Sequence, residues 1–86
     1  MHLRNDYNST VNGTVHYATF LCPDDDFSVA PGHTFKHSRG LCLITGITGH
    51  DSHNDCTSYS SSGTSYWKFA IITAQNGGCS IIRVVN

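Results

Sequence analysis

Four cysteines, Cys22, Cys42, Cys56 and Cys79, constrain this 86-residue chain more than any other feature of its sequence. Their number is even, and no two of them form a Cys-x-x-Cys pair of the kind that binds zinc or cycles as a redox dithiol. We therefore expect two disulfides, and among the three possible pairings we favour Cys22–Cys42 with Cys56–Cys79. Because so short a chain buries only about 60% of its unfolded surface, these links would add greatly to its stability.

The segments between the cysteines predict an all-β domain. Val, Ile, Thr, Tyr and Phe occur in short runs separated by Gly, Pro, Asn and Asp, and no segment sustains a 3.6-residue period. Strands should recur roughly every ten residues. We expect one domain over residues 1–86, folded as a small antiparallel β-sandwich or barrel of about seven short strands.

Alternating apolar residues place several of these strands. The stretch "STVNGTVHYATFL" predicts a strand whose apolar face is formed by Val11, Val15, Tyr17 and Leu21. A buried strand is expected from residue 41 to about residue 48. The serines and glycine of residues 60–63 predict a flexible connection.

The C-terminal stretch "SYWKFAIITAQNGGCSIIRVV" predicts a β-hairpin with a two-residue type I′ turn at Asn76 and Gly77. In that register Ile71 faces Ile82. A shift by one residue would bring Arg83 into the apolar face, so the first register is the expected one.

Charge balance argues against nucleic-acid binding. Five Lys and Arg face six Asp and Glu, which leaves no basic patch for phosphates. Only 13% of the residues are charged, and Ser, Thr, Asn and Gly are abundant, a composition typical of secreted β proteins. We therefore expect a secreted, extracellular protein.

The polar residues raise the question of two kinds of site, a catalytic site and a metal site. No Gly-x-Ser-x-Gly elbow is present, the cysteines are expected to be paired, and a small sandwich has little room for a deep pocket, so we expect neither enzyme activity nor a cofactor. The loop "HDSHNDC" is a candidate metal site, since His50, Asp51, His53 and Asp55 could converge on zinc or copper. The alternative is a polar loop with surface histidines.

Three aromatic residues and one arginine are candidate binding residues. Tyr59, Tyr66 and Trp67 flank the serine-rich connection and could present flat rings to a sugar or a membrane interface. Arg39, in a predicted turn, is a further candidate contact. For Trp67 we favour the alternative that it caps the core beside Phe69, whereas both interpretations stay open for the tyrosines.

The order of these segments resembles a group of known proteins. "NDYNSTVNGTVHY" is followed by "FSVAPGHTF", by "SRGLCLIT", by a hydroxyl-rich segment and by the terminal hairpin. This layout is similar to that of small secreted β-sandwich proteins of soil microbes, including aegerolysin-like membrane binders and short insecticidal proteins of pseudomonads. The resemblance implies a non-catalytic protein that binds a lipid or a receptor on a target cell.

The sequence thus predicts a secreted toxin or effector that recognises a lipid, glycan or receptor at a target-cell surface. One alternative is a lectin-like carbohydrate-binding module that uses Tyr59, Tyr66 and Trp67. Another is a metal-binding loop protein that uses His50 and His53. If the protein associates, we expect a symmetric homodimer. Whether an exposed edge strand would mediate it is left open by the sequence.

Overall fold

The structure, a computed structural model, describes residues 1–38 and 40–85, and this part of the chain forms eight β-strands in two sheets. The strands are β1 (His2–Asn5), β2 (Val11–Tyr17), β3 (Asp25–Val29), β4 (Thr34–Lys36), β5 (Ile44–His50), β6 (Tyr59–Thr64), β7 (Lys68–Thr73) and β8 (Cys79–Arg83). The prediction of an all-β fold is confirmed, with one strand more than expected.

Each sheet has four strands. The first sheet has the order β4-β1-β7-β8 and the second the order β3-β2-β5-β6. Strands β1 and β7 pair in parallel, whereas the other neighbours pair antiparallel. Strand β1 is the one that the sequence did not predict, because its inward residues are only Leu3 and the polar Asn5.

The turn at residues 30–32 carries the chain from one sheet to the other. Strand β3 lies in the second sheet and β4 in the first, so the two strands that the turn joins are not hydrogen-bonded neighbours. Gly32 has a φ of 79°, in the left-handed region that favours glycine. Its N–H donates to Asn5 O at 2.8 Å, which attaches the crossover to β1.

The core lies between the sheets and is built from the alternate, inward-facing residues of both. Its most completely buried large side chains are Leu3, Val11, Val15, Ile47, Phe69 and Ile71. Phe27 packs against the backbone of Gly13 in the neighbouring strand. A Cβ at position 13 would lie 2.6 Å from Phe27 Cζ and 2.8 Å from Gly49 Cα, so only glycine permits this close approach.

Two strands differ from their predicted bounds. Strand β2 buries Val11 and Val15 as expected, but it ends at Tyr17, and Leu21 lies beyond it with 75% of its surface exposed. Strand β5 begins at Ile44, and Leu41 in the preceding loop is 99% exposed. Both loops are drawn to the end of the sandwich because the Cys22–Cys42 disulfide joins them there.

Residues 60–63 are part of strand β6 and not a flexible connection. Tyr59 pairs with Ile47 and Ser60 with Gly46 of β5. Ser61 Oγ also donates to Ile44 O at 2.7 Å. An edge strand needs only one hydrogen-bonded neighbour and little apolar surface, and a serine-rich sequence therefore suffices.

The hairpin of β7 and β8 forms in the register that the sequence analysis rejected. Ile71 pairs with Ile81 and not with Ile82, and Thr73 pairs with Cys79, so the loop covers residues 74–78 instead of two residues. Cys79 must face inward to reach Cys56, and strand alternation then points Arg83 inward as well. Arg83 is tolerated because it lies at the end of the sandwich.

Both predicted disulfides are confirmed. Cys56–Cys79 lies inside the core, with its two residues 6% and 2% exposed. Cys22–Cys42 joins two loops outside the sheets, with a Cα–Cα distance of 6.0 Å. One disulfide therefore supports the core, and the other holds together surface loops.

Candidate functional site

The strand directions give the sandwich two ends of different chemistry. At one end the first residues of β1, β3, β5 and β7 meet the last residues of the other four strands. We call it the apolar end; its loops in the described part of the chain are residues 18–24, 37–38, 40–43, 65–67 and 84–85. The opposite end, the polar end, is formed by residues 6–10, 30–33, 51–58 and 74–78.

Exposed large apolar side chains gather at the apolar end. Within the described residues there are six of them: Phe20, Leu21, Leu41, Leu43, Trp67 and Val85, from 42% to 99% exposed. Each belongs to a loop of the apolar end. Exposed apolar groups that are grouped in this way mark a surface that binds a partner or a membrane.

The Cys22–Cys42 disulfide holds the main part of this surface together. Phe20 and Leu21 precede one of its cysteines, and Leu41 and Leu43 flank the other. A backbone hydrogen bond from Ala18 N to Leu43 O, at 2.9 Å, joins the same two loops. Each of these four residues therefore lies within two positions of one cross-link and is exposed to water, although burial of its side chain would be more favourable.

A groove of about 200 Å³ opens beside these loops. Tyr17, His37 and Trp67 are among its lining residues. At its margin Tyr17 Oη donates to Asp25 Oδ2 at 2.6 Å, and His37 Nε2 lies 3.5 Å from the same oxygen. The carboxylate is thus held by its neighbours, and the groove offers both polar and aromatic contacts.

The structure separates the three aromatic candidates, and the two tyrosines pack against the core. Tyr59 and Tyr66 pack edge-on against Phe69, with ring centroids 4.9 and 6.1 Å away. Tyr66 Oη donates to Val84 O, and the Arg83 guanidinium lies 4.0 Å above the Tyr66 ring. Both tyrosines therefore complete the core.

The sequence favours a position for Trp67 that caps the core, and this prediction is wrong. Trp67 is 51% exposed at the apolar end, where its indole meets the His2 ring edge-on at 5.0 Å. The two tyrosines already cover Phe69 at this end, so the indole remains outside. The fourth candidate, Arg39, lies outside the described residues.

The loop that was a candidate metal site uses its carboxylate internally. Asp51 Oδ1 accepts hydrogen bonds from the backbone N–H groups of His53 and Asn54, both at 2.7 Å, and Oδ2 accepts one from Tyr7 Oη at 2.9 Å. These bonds, the one from His53 first, hold the pKa of Asp51 below its ordinary value. The bond to Asp51, together with burial, raises the pKa of Tyr7.

The structure does not bring His50, Asp51 and His53 together as ligands. His53 Nδ1 instead lies 2.8 Å from Ser52 Oγ. In residues 1–38 and 40–85, no three His, Cys, Asp or Glu residues come close enough together to hold a metal ion. The hydrogen bonds from His53 N and Asn54 N to Asp51 Oδ1 close a turn at the polar end.

The outer face of the second sheet carries a polar network that the sequence analysis did not identify. His16 Nδ1 lies 3.1 Å from Asp24 Oδ2, and its Nε2 lies 3.2 Å from Thr48 Oγ1. Thr14 Oγ1 donates to Asp26 Oδ1 at 3.0 Å nearby. The order Asp–His–hydroxyl occurs in hydrolases, but His16 and Thr48 stand on paired strands whose N–H groups are used by the sheet and cannot stabilise an oxyanion.

The loop residues at the apolar end were also missed as candidate contacts. The sequence places Leu21 and Leu41 in strands with apolar faces and does not single out Phe20, because apolar residues usually belong to the core. Their one distinguishing signal is that each lies within two residues of a cysteine.

Among known proteins, no family model, curated sequence or solved structure matches this chain significantly. In the described residues there is no helix with the length and hydropathy required to cross a bilayer.

Proposed function

We propose that this protein is a secreted, non-enzymatic toxin or effector that attaches to the lipid surface of a target cell through its apolar end. The observation that carries the proposal is the gathering of exposed large apolar side chains at that end. Trp and aliphatic side chains on the tips of a rigid scaffold suit the interfacial layer of a bilayer, which accepts both aromatic rings and hydrocarbon. The two disulfides are compatible with the oxidising environment outside cells.

The size of the apolar surface is adequate for membrane attachment. Fully burying one Leu or Phe side chain contributes about 1.5–3 kcal/mol. Insertion of Phe20, Leu21 and Leu41 would thus contribute roughly 5–9 kcal/mol, and micromolar affinity corresponds to about 8 kcal/mol. Because the Cys22–Cys42 disulfide already orders these loops, little conformational entropy is lost on binding.

The test is binding to protein-free vesicles made from the total lipids of animal cells. Trp67 is the single tryptophan of the chain, and it lies at the apolar end, so its emission should shift to the blue when the protein cosediments with vesicles. Neither EDTA nor a mixture of free sugars should reduce binding. Loss of binding in EDTA would favour the metal loop, and competition by sugar would favour the lectin-like alternative.

Substitutions at the two ends of the sandwich test whether the apolar end makes the contact with the vesicle. The double substitution Phe20→Ser and Leu41→Ser should weaken vesicle binding at least about tenfold, since it removes two apolar contacts. The control is Asn54→Ser with Gln75→Ser, two exposed residues of the polar end, which should leave binding unchanged. Absence of vesicle binding by the unaltered protein, or equal losses in both double variants, would refute the proposal.

A further inference from the structure

Although the charge balance of the sequence predicts no basic patch, strand pairing places three basic residues in a row on the outer face of the first sheet, at the apolar end. His2 of β1 pairs with Lys36 of β4 on one side and with Lys68 of β7 on the other. Cross-strand partners point to the same face, and these three point outward because their neighbours Leu3, Phe35 and Phe69 point into the core. With strands about 4.8 Å apart, the row spans roughly 10 Å.

The second sheet has the opposite charge at the same end. Strand β3 begins there with Asp25 and Asp26, and Asp24 directly precedes it. Asp24 and Asp26 are exposed and bond to His16 and Thr14 on the outer face. The apolar end is therefore bordered by two lysines along the first sheet and by carboxylates along the second.

We infer that the basic row formed by Lys36, His2 and Lys68 binds the phosphate-bearing headgroups of anionic phospholipids. The inference rests on the proposed function and deepens it, because it names the class of lipid that the apolar end attaches to. Anionic lipids attract the basic row of the first sheet and repel the carboxylates of the second. The bound protein would therefore be tilted, with its first sheet closer to the bilayer than its second.

The exposed tryptophan supports this placement. Trp67 immediately precedes Lys68, and its ring meets the ring of His2. A groove of about 480 Å³ on the surface is lined by Trp67, His2, Lys36 and His37, among others. An indole beside an ammonium group suits the headgroup layer, where aromatic rings and lysine side chains are both favoured.

Arg4 and Arg83 lie outside the row and have partners within the protein. Arg4 Nε donates to Asp6 Oδ1 at 2.7 Å, so its charge is balanced within the protein. Arg83 lies over the Tyr66 ring. Lys36, in contrast, has no ion pair within residues 1–38 and 40–85 and is exposed at the end of its strand.

The experiment compares vesicles of phosphatidylcholine alone with vesicles that also contain phosphatidylserine. The protein should bind the second kind more tightly, and the difference should shrink as salt is raised. Lys36→Gln should weaken binding to the serine-lipid vesicles about fivefold, the usual effect of one cation at an anionic surface, and leave binding to phosphatidylcholine unchanged. Lys36→Arg keeps the charge and should bind like the unaltered protein.

Arg4→Gln is the matched control, because it removes the same charge from the same face of the sheet. Since Asp6 already balances Arg4, this variant should lose much less binding than Lys36→Gln. Equal binding of the unaltered protein to both kinds of vesicle would overturn the inference and leave the apolar end as the attachment site. Equal losses in Lys36→Gln and Arg4→Gln would also overturn it. Absence of binding to both kinds of vesicle would overturn the inference alone if the protein still bound vesicles of total animal-cell lipids, and would refute the proposed function as well if it did not.

Discussion

Asn5 shows how a single polar residue can hold several parts of this fold together. It is fully buried at the end of β1. Its Nδ2 donates to Ser9 O and to Val29 O, both at 2.8 Å, and its Oδ1 accepts from Tyr7 N at 2.8 Å. One amide side chain thus joins β1 to the following loop and to the end of β3, in the opposite sheet.

The substitution Asn5→Asp should destabilise the protein strongly, although the two side chains have almost the same shape. A carboxylate cannot donate to the two carbonyl groups and would be repelled by them. We expect a loss of about 3 kcal/mol or more in the free energy of unfolding, measured by urea titration at neutral pH. Asn12→Asp, on the outward face of β2, should change stability little; similar losses in both variants would contradict this role for Asn5.

Aromatic residues show the limits of sequence reasoning at the same scale. The sequence favours a core position for Trp67 and leaves both interpretations open for Tyr66 and Tyr59. The tyrosines proved to have a buried partner in Phe69, and Trp67 did not. That difference depends on which side chains lie against Phe69 in the folded sandwich, a property that no local pattern contains.

At the scale of elements, the two disulfides have separate roles even though they close loops of similar length. Their sequence separations are 20 and 23 residues, for which the chain-entropy model gives about 3 kcal/mol each. Cys56–Cys79 additionally fills space in the core, and Cys22–Cys42 positions the apolar loops. Loop geometry, and with it vesicle binding, should depend on only one of the two.

We therefore predict different results from two double substitutions. Cys22→Ser with Cys42→Ser should cost about 3 kcal/mol of stability and should weaken vesicle binding by the molecules that remain folded, because no cross-link then joins the loops of Phe20 and Leu41. Cys56→Ser with Cys79→Ser should cost more stability, since it also disturbs the core. Chemical denaturation and cosedimentation measure the two properties; undiminished vesicle binding by the first variant would contradict the role assigned to its disulfide.

At the scale of the whole molecule, neither sheet is formed by a continuous part of the chain. The first sheet takes β1, β4, β7 and β8, and the second takes β2, β3, β5 and β6. Neither sheet can therefore assemble without most of the chain being in place, and the apolar side chains of each sheet are covered only by the other.

This interleaving predicts that the oxidised protein unfolds in a single cooperative transition. Far-UV circular dichroism and Trp67 fluorescence should give the same melting temperature, and the calorimetric enthalpy should equal the van't Hoff enthalpy. Two separate transitions would show that one sheet persists without the other, which the shared core does not allow.

The sequence by itself determined the all-β class, the existence of the C-terminal hairpin and the presence of two disulfides, while their pairing was one choice among three. These properties depend on period-two alternation, on turn-forming residues and on cysteine number, all of which are readable along the chain. The candidate contacts drawn from single residue types were less informative, because an exposed tyrosine and a buried one look alike in sequence.

Only the tertiary structure decided the hairpin register, the parallel pairing of β1 with β7 and the strand at residues 60–63. In each case the deciding contact comes from a distant segment: Cys56 for the register, β7 for β1, and β5 for β6. The apolar end and the basic row arise in the same way. Leucine, phenylalanine and lysine residues far apart in the sequence become one surface because strand direction brings their loops to the same end of the sandwich.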